Sequence, residues 1–130
     1  MAVALAMMAV ILGIALFRFS ALRDATSVRA GTGDIGSAFS LARQLAVSRR
    51  HMVAIVLDTA RGSVEVRSDG TRIVRRELGA SYGVHLGANR DSAVFDARGL
   101  GYGLSNLSVT VRRGHFVDTL TMSRLGRVRW

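Results

Sequence analysis

The residues with the clearest chemical potential are arginines near the C-terminus. Between residues 112 and 130 a single acid, Asp118, accompanies five arginines: Arg112, Arg113, Arg124, Arg127 and Arg129. Side chains alternate along a strand, so Arg127 and Arg129 lie on one face about 7 Å apart, where two guanidinium groups can each bind a backbone phosphate. Gly126 permits close backbone approach, and Trp130 can stack on a base or pack on the sheet. The tail therefore favours a solvated or protein-contacting basic face, with phosphate contacts to double-stranded DNA as the alternative.

The other polar residues do not form a pattern typical of catalysis. The three histidines, His51, His85 and His115, lack the spacing of metal ligands, and the chain has no cysteine. The glycine-rich run at residues 99–103 lacks the G-K-[ST] ending of a phosphate-binding loop. Capping of helix starts and turns explains the aspartates Asp24, Asp34, Asp58, Asp69, Asp91 and Asp96. We therefore expect no enzyme activity, cofactor, metal or small-molecule substrate.

Arginine also dominates the overall composition. The 130 residues include 18 basic residues, all arginine, against 9 acidic ones, which gives a net charge of +9. Hydrophobic residues make up 49% of the chain, which excludes a disordered tail, and the length allows one domain. Because the chain has arginine but no lysine, part of its positive charge can reflect the codon usage of a GC-rich genome. A second basic cluster, Arg72, Arg75 and Arg76, is expected to protect an edge strand around Ile73 from aggregation.

The first seventeen residues are uncharged and almost entirely apolar. As a helix they extend about 25 Å, slightly short of the roughly 30 Å core of a bilayer. We expect a membrane-spanning helix; a cleaved signal peptide and a buried helix are the alternatives. Basic residues follow the segment at Arg18, Arg23 and Arg29, so the positive-inside rule taken alone puts the rest of the chain in the cytoplasm. The apolar surface is expected to comprise Val3, Leu5, Val10, Ile11, Leu12, Ile14, Leu16 and Phe17.

The remainder of the chain predicts an α+β fold. Residues 18–50 read as a helix, whose apolar stripe includes Phe39, Leu41 and Leu45. Three glycines between residues 31 and 36 weaken it, and the sequence leaves open whether it is continuous there or bends, melts or restarts with Thr32 or Asp34 as a cap. After residue 50, apolar residues recur at every second position. This spacing predicts a small, mostly antiparallel sheet with a hairpin turn at residues 68–70. Its strands are expected at residues 53–57, 63–67, 73–78, 83–86, 93–95, 107–111 and 116–122.

A long helix, apolar at its start and amphipathic later, packed on a sheet, resembles type IV pilins and pseudopilins. The segment LARQLAVSRR at residues 41–50, followed at once by a hydrophobic strand, is similar to the L-A-R-x-x-A-x-x-R segment of the GspH/FimT family of minor pseudopilins. The run VFDARG at 94–99 resembles that family's apolar-Phe-x-x-x-Gly turn. The run TLTMSRLGRVR at 119–129 resembles its closing strand. With the apolar N-terminus before these motifs, the resemblance covers nearly the whole chain.

The resemblance implies a type IV pilin-like subunit of three parts. Residues 1–20 are the transmembrane and filament-core part of the helix, 21–51 its amphipathic part, and 52–130 the β-rich head. It also implies assembly from the bacterial inner membrane into a filament of other pseudopilins or pilins, driven by a separate motor ATPase. The Gly-Arg-x-Arg sequence at 126–129 resembles the tail of FimT-type members, where it implies DNA capture in natural transformation.

The start of the chain departs from the family pattern. It has neither the short basic leader nor the Gly-Phe junction and glutamate that precede the apolar run in family members. We therefore expect Met1 to be an internal methionine, with the true start upstream. A basic leader upstream places positive charge before the apolar segment. The positive-inside rule then puts the leader in the cytoplasm and the head on the periplasmic side.

Three functions follow from these observations. The favoured one is a structural minor pseudopilin of a type II secretion system or type IV pilus. The second is a DNA-binding minor pilin for natural transformation. The third is an anchored domain unrelated to pili, with a basic surface that touches anionic lipid.

Overall fold

One continuous helix organises the protein. The computed structural model describes residues 1–102 and 106–130, and its first element is α1 (Ala2–Arg49), about 72 Å long. Residues 1–20 are exposed on all sides, and Ala21 is the first partly buried residue. From there one face of the helix packs on the head. Arg50 ends the helix in the left-handed conformation, with φ of 54°.

The helix continues without a break through residues 31–36, a point the sequence left open, because two of the three glycines there serve packing. An added Cβ at Gly31 lies 3.3 Å from a methyl group of Val111, and one at Gly36 lies 2.6 Å from the Trp130 ring. The missing side chains let the head approach the helix closely. This contact outweighs the weak helix propensity of glycine, which costs about 1 kcal/mol per residue. Thr32 caps nothing, since its hydroxyl donates to the carbonyl of Val28 within the helix.

Eight strands and a short helix follow α1. They are β1 (Val53–Asp58), β2 (Ser63–Ser68), β3 (Thr71–Glu77), α2 (Leu78–Tyr82), β4 (His85–Ala88), β5 (Ser92–Phe95), β6 (Leu107–Arg113), β7 (Phe116–Met122) and β8 (Val128–Arg129). The hairpin turn between β2 and β3 is confirmed, with Asp69 and Gly70 at φ of 51° and 75°. This pair of positive φ values is typical of the type I′ turn.

The strands form two antiparallel sheets, where the sequence predicted one. The first sheet has the order β3-β2-β1-β5, and the second has the order β4-β6-β7-β8. The seven predicted strands are present with ends that differ by at most two residues, and β8 is additional. The chain alternates between the sheets, because β5 pairs with β1 while β4 pairs with β6. Such partner choices depend on contacts that are distant in sequence.

The core lies between α1 and the inner faces of both sheets. Phe39 of the helix and Phe95 of β5 are fully buried, and their rings meet edge to face with centroids 6.4 Å apart. Ile55, Val109 and Leu120 bring the two sheets onto the same cluster. The helix therefore holds the sheets together and fixes where each strand lies along its axis.

The expected edge strand at residues 71–77 is confirmed. Strand β3 is an outer strand of its sheet. Two of its arginines, Arg72 and Arg75, lie within 3.5 Å and 3.3 Å of the carboxylate of Glu65 on the adjacent strand. Charge on an edge strand disfavours pairing with other chains, so this cluster has a structural explanation.

Candidate functional site

Two C-terminal arginines line one groove on the second sheet. Arg127 and Arg129 border a groove of about 560 Å³ at the ends of β6 and β7, whose apolar part includes Leu107 and Met122. The remaining lining residues are mostly polar and were not singled out from the sequence: Asn106, Ser108, Thr121, Ser123 and Leu125. Arg127 and Arg129, which the sequence predicted on one face, therefore both line this groove.

The charges of this groove are not neutralised within the described residues. The ion pairs among the described residues are formed by other arginines: Arg61, Arg67, Arg72, Arg75, Arg98 and Arg113. Neither Arg127 nor Arg129 lies within 4.0 Å of a described carboxylate. The hydroxyl of Ser123, which also lines the groove, is buried and has no hydrogen-bond partner in the part of the chain that the structure describes. Guanidinium groups beside hydroxyl and amide groups suit an anionic ligand such as phosphate.

Gly126 has a structural task next to the groove. It has a φ of 70°, and a Cβ added there lies 2.5 Å from the carbonyl oxygen of Gly99. The neighbouring backbone is also tied across the sheets, since the N–H of Gly101 donates to the carbonyl of Arg124 at 3.0 Å. The close approach that Gly126 permits is therefore to another loop of its own chain. This contact joins the ends of the two sheets.

Two arginines grouped with this site by sequence lie elsewhere. Strand β6 begins at Leu107 beside the groove and ends six residues later at Arg113, about 20 Å away. Arg113 is engaged by the helix: its Nε lies 2.9 Å from a carboxylate oxygen of Asp24, and it donates to the hydroxyl of Ser27 and the carbonyl of Tyr82. Arg112 is exposed at the same distal end. The structure therefore separates Arg112 and Arg113 from Arg127 and Arg129.

Trp130 packs on the helix. Its ring lies over Gly36, and the residue as a whole is 74% exposed. Of the two roles expected for this side chain, the structure shows packing, although on α1 and not on the sheet. The ring closes the C-terminal end of the chain against the helix beside the groove.

The capping explanation for the aspartates is wrong at two positions. Asp24 and Asp34 lie inside α1, where Asp24 binds Arg113 and Asp34 accepts a hydrogen bond from the hydroxyl of Tyr82 at 2.8 Å. That hydrogen bond raises the pKa of Tyr82. An aspartate inside a helix has poor helix propensity, and its presence there was the available signal for a tertiary partner.

Two other aspartates do organise turns. Asp58 accepts a hydrogen bond from the N–H of Arg61. Asp96 accepts from the N–H groups of Leu100 and Arg98, and these bonds, with that from Leu100 foremost, lower the pKa of Asp96. The glycine-rich run at 99–103 follows Asp96, and its last residue, Gly103, lies outside the described residues.

No group of three or more potential metal ligands occurs among residues 1–102 and 106–130. His51, His85 and His115 are all exposed and lie on separate elements. The described residues therefore bring together no metal site from the histidines considered in the sequence.

The second candidate site is the free part of α1. This segment is apolar enough and long enough to cross a membrane, and none of its most hydrophobic window is buried by the head. Large side chains point outward on all sides, with exposed fractions between 59% and 78%: Val3, Leu5, Val10, Ile11, Leu12, Ile14, Leu16 and Phe17. A soluble domain rarely leaves so large an apolar surface uncovered. The head therefore leaves the apolar surface of this half of the helix uncovered.

Comparison with known proteins agrees with this architecture. The sequence model of the family described as "Type II transport protein GspH" matches residues 31–126. No curated protein matches the chain significantly. This result leaves the family match and the fold as the basis for classification.

The fold is similar to that of the type IV minor pilin FimU of Pseudomonas aeruginosa. One crystal form of FimU matches with a TM-score of 0.68 at 14% identity, covering 80% of this chain and 87% of FimU. A second form gives 0.64 at 13% identity, covering 78% and 90%. At this identity the likeness shows the fold alone. The family match excludes an anchored domain unrelated to pili. The chain belongs to the GspH family and is a minor pseudopilin of the GspH/FimT type with the type IV pilin fold.

Proposed function

We propose that the chain is a single-pass inner-membrane protein that assembles into the filament of a type II secretion system or type IV pilus. Its head stands on the periplasmic side. The observation that carries this proposal is the apolar half of α1, which is exposed all round and continuous with the half that holds the head. Lipid covers this surface before assembly, and the helices of other pilins cover it in the filament. No cofactor takes part.

A charge in the free half of α1 tests this proposal. Ile11 is 66% exposed and lies ten residues before the first contact with the head. The change Ile11→Arg therefore leaves the head folded but costs about 2.5 to 3.5 kcal/mol at the centre of a bilayer. We expect the variant to leave the carbonate-resistant membrane fraction and to be missing from sheared filaments. Asp69→Arg, in the exposed β2–β3 turn, is the matched control and should remain in both fractions.

The side of the membrane is tested separately. Protease added to cells with a permeabilised outer membrane should digest the head if it is periplasmic. A head that is digested only after the inner membrane is also opened contradicts the proposed orientation, whatever the outcome for Ile11→Arg.

A second function, DNA binding, is favoured by the arginine groove. Arg127 and Arg129 border one groove, and neither has a described carboxylate partner. The groove lies near the level of Gly36 on the helix, about 18 Å further from the apolar segment than Asp24. Double-stranded DNA therefore reaches these side chains without touching the bilayer. Contacts with phosphates make such binding independent of sequence.

The test is fluorescence anisotropy of a labelled duplex with the full chain in detergent micelles, at several salt concentrations. Arg127→Ala combined with Arg129→Ala should lower affinity and reduce the slope of log K against log salt by about 2, one unit for each phosphate contact. Arg72→Ala with Arg76→Ala removes the same charge from the edge strand β3 and is the control. Equal losses in the two double variants assign the effect to net charge and contradict a DNA site in the groove.

A further inference from the structure

The hairpin between β6 and β7 contacts the helix close to the apolar segment, at Asp24. Strand β6 runs antiparallel to α1: Val111 meets the helix at Gly31, and Arg113 meets it one to two turns earlier, at Asp24. A Cβ added at Gly114, in the turn itself, lies 2.8 Å from the carboxylate of Asp24. The residues after Gly114 therefore lie at the boundary between the free and the covered halves of the helix.

This boundary coincides with the expected surface of a bilayer. The uncharged part of the exposed helix, residues 2–17, is about 24 Å long, slightly short of the roughly 30 Å of a hydrocarbon core. Arg18 is the first charged residue of the helix and requires the interface. Asp24 lies about 9 Å further along the axis, at the outer edge of a headgroup layer of roughly 5 to 8 Å on each side. The hairpin is thus at the level of the outer lipid headgroups.

The chemistry of the hairpin tip suits that depth. Val117 is 55% exposed and Phe116 is 39% exposed, although both are large apolar side chains on the surface of the head. Arg112 and His115 beside them are also exposed. On the helix, the turns just before Asp24 carry both apolar and basic residues that are exposed: Arg18, Phe19, Leu22 and Arg23. Aromatic and basic side chains together are typical of membrane interfaces.

The hairpin is held firmly in this position. Arg113 binds Asp24 at 2.9 Å and the hydroxyl of Ser27 at 3.1 Å, and it also reaches the carbonyl of Tyr82. The ion pair also neutralises the one acid of the helix at this level. Of the described acids near the tip, Asp118 is the remaining one, so the surface has an excess of positive charge.

We propose that the tip of the β6–β7 hairpin, formed by Arg112, His115, Phe116 and Val117, rests in the headgroup layer of a bilayer that contains anionic phospholipid. Phe116 and Val117 enter the interface, while Arg112 and the helix arginines bind lipid phosphates. This second attachment fixes the tilt and rotation of the head above its anchor before assembly. The proposal rests on the proposed function, because it requires that α1 spans the membrane.

The occupant is argued from continuity and charge. The apolar tip continues the apolar surface of the anchor across the boundary near Ala21. Its basic residues complement anionic headgroups, which attract arginine side chains close to the membrane surface. Purely apolar packing against another subunit does not require basic residues beside the apolar tip.

Single-cysteine spin labels test the proposal, because the native chain has no cysteine. The full chain is reconstituted into vesicles of phosphatidylcholine and phosphatidylglycerol with a label at His115→Cys, Asp69→Cys or Ala9→Cys. Collision rates with oxygen and with a water-soluble nickel chelate report depth. We expect the label at 115 to be protected from nickel several-fold more than the label at 69, which lies in the turn at the opposite end of the head. Adding Phe116→Ser and Arg112→Gln should return the label at 115 to the aqueous level.

The labels separate the failure of this proposal from failure of the anchor. A label at residue 9 that is exposed to nickel shows that the helix is not inserted and refutes the proposed function. A protected label at 9 with equal nickel access at 115 and 69 overturns the hairpin proposal alone. Protection at 115 that appears only after a second pilin is added also overturns it and assigns the tip to a filament contact.

Discussion

Replacing Gly126 by alanine should weaken the junction between the two sheets. The change has two separable consequences. The residue has a φ of 70°, a left-handed conformation that costs an alanine about 1 kcal/mol. The new Cβ also lies 2.5 Å from the carbonyl oxygen of Gly99 and 3.3 Å from the ring of Phe95. Backbone blocks the Cβ on one side and a buried ring on the other, so the loops must separate.

The size of the second effect follows from the hydrogen bonds at the junction. Separation of the loops strains the bond from Gly126 N–H to the carbonyl of Ser123, at 2.9 Å, and the bond from Gly101 N–H to the carbonyl of Arg124, at 3.0 Å. Each contributes about 1 kcal/mol. Together with the conformational cost, we expect Gly126→Ala to lower the free energy of unfolding by about 3 kcal/mol.

Gly70→Ala provides a matched control. Gly70 has a φ of 75°, and a Cβ there has nothing within 4 Å, so alanine meets the conformational cost alone. At roughly 4 to 8 °C per kcal/mol, Gly70→Ala should lower the melting temperature by about 5 °C and Gly126→Ala by about 15 °C. The assay is thermal unfolding of the full chain in detergent, followed by Trp130 fluorescence. Equal shifts in the two variants refute the reasoning, because they show that the contact with Gly99 costs nothing.

Two further predictions concern charges in the head. Glu65 accepts a hydrogen bond from Arg67, and this bond lowers the pKa of Glu65 below the ordinary 4.5. The ionised Glu65 therefore stabilises the fold above that pH, and this stabilisation is lost as the pH falls through the lowered pKa. The melting temperature should fall less steeply below about pH 4.5 in Glu65→Gln than in wild type, and parallel curves contradict this. Asp24→Asn removes the half-buried ion pair with Arg113 and should destabilise by about 1 to 2 kcal/mol. Asp69→Asn, in an exposed turn, should change stability little, so equal melting temperatures for these two variants count against the ion pair.

Local patterns in the sequence predicted most elements of the fold. Alternation of apolar and polar residues located the strands, and Asp69-Gly70 identified a turn from residues adjacent in the chain. The partition into two sheets was not predictable, because β1 pairs with β5 across more than thirty residues. The role of Gly31 was not predictable for the same reason: its propensity is local, but its packing partner, Val111, is eighty residues away.

The candidate site divides in the same way. The common face of Arg127 and Arg129 follows from strand geometry alone, and the structure places both on one groove. The count of charges between residues 112 and 130 also grouped Arg113 with these two arginines. In the structure, Arg113 lies at the opposite end of the sheet, because it is the last residue of β6. Only the tertiary fold shows that Asp24 neutralises this arginine.

The arrangement of β6 along the helix gives the head two chemically different ends. Its hairpin end meets the anchor near Asp24, and its other end opens into the arginine groove near the level of Gly36, about 18 Å higher. Under the proposed function, a ligand held in the groove therefore stays clear of the helix surface that changes its surroundings when the subunit passes from the bilayer into the filament. We expect that such a ligand is bound equally well by the membrane-held and the filament-held subunit. Cargo loaded before incorporation would then be carried outward with the growing filament.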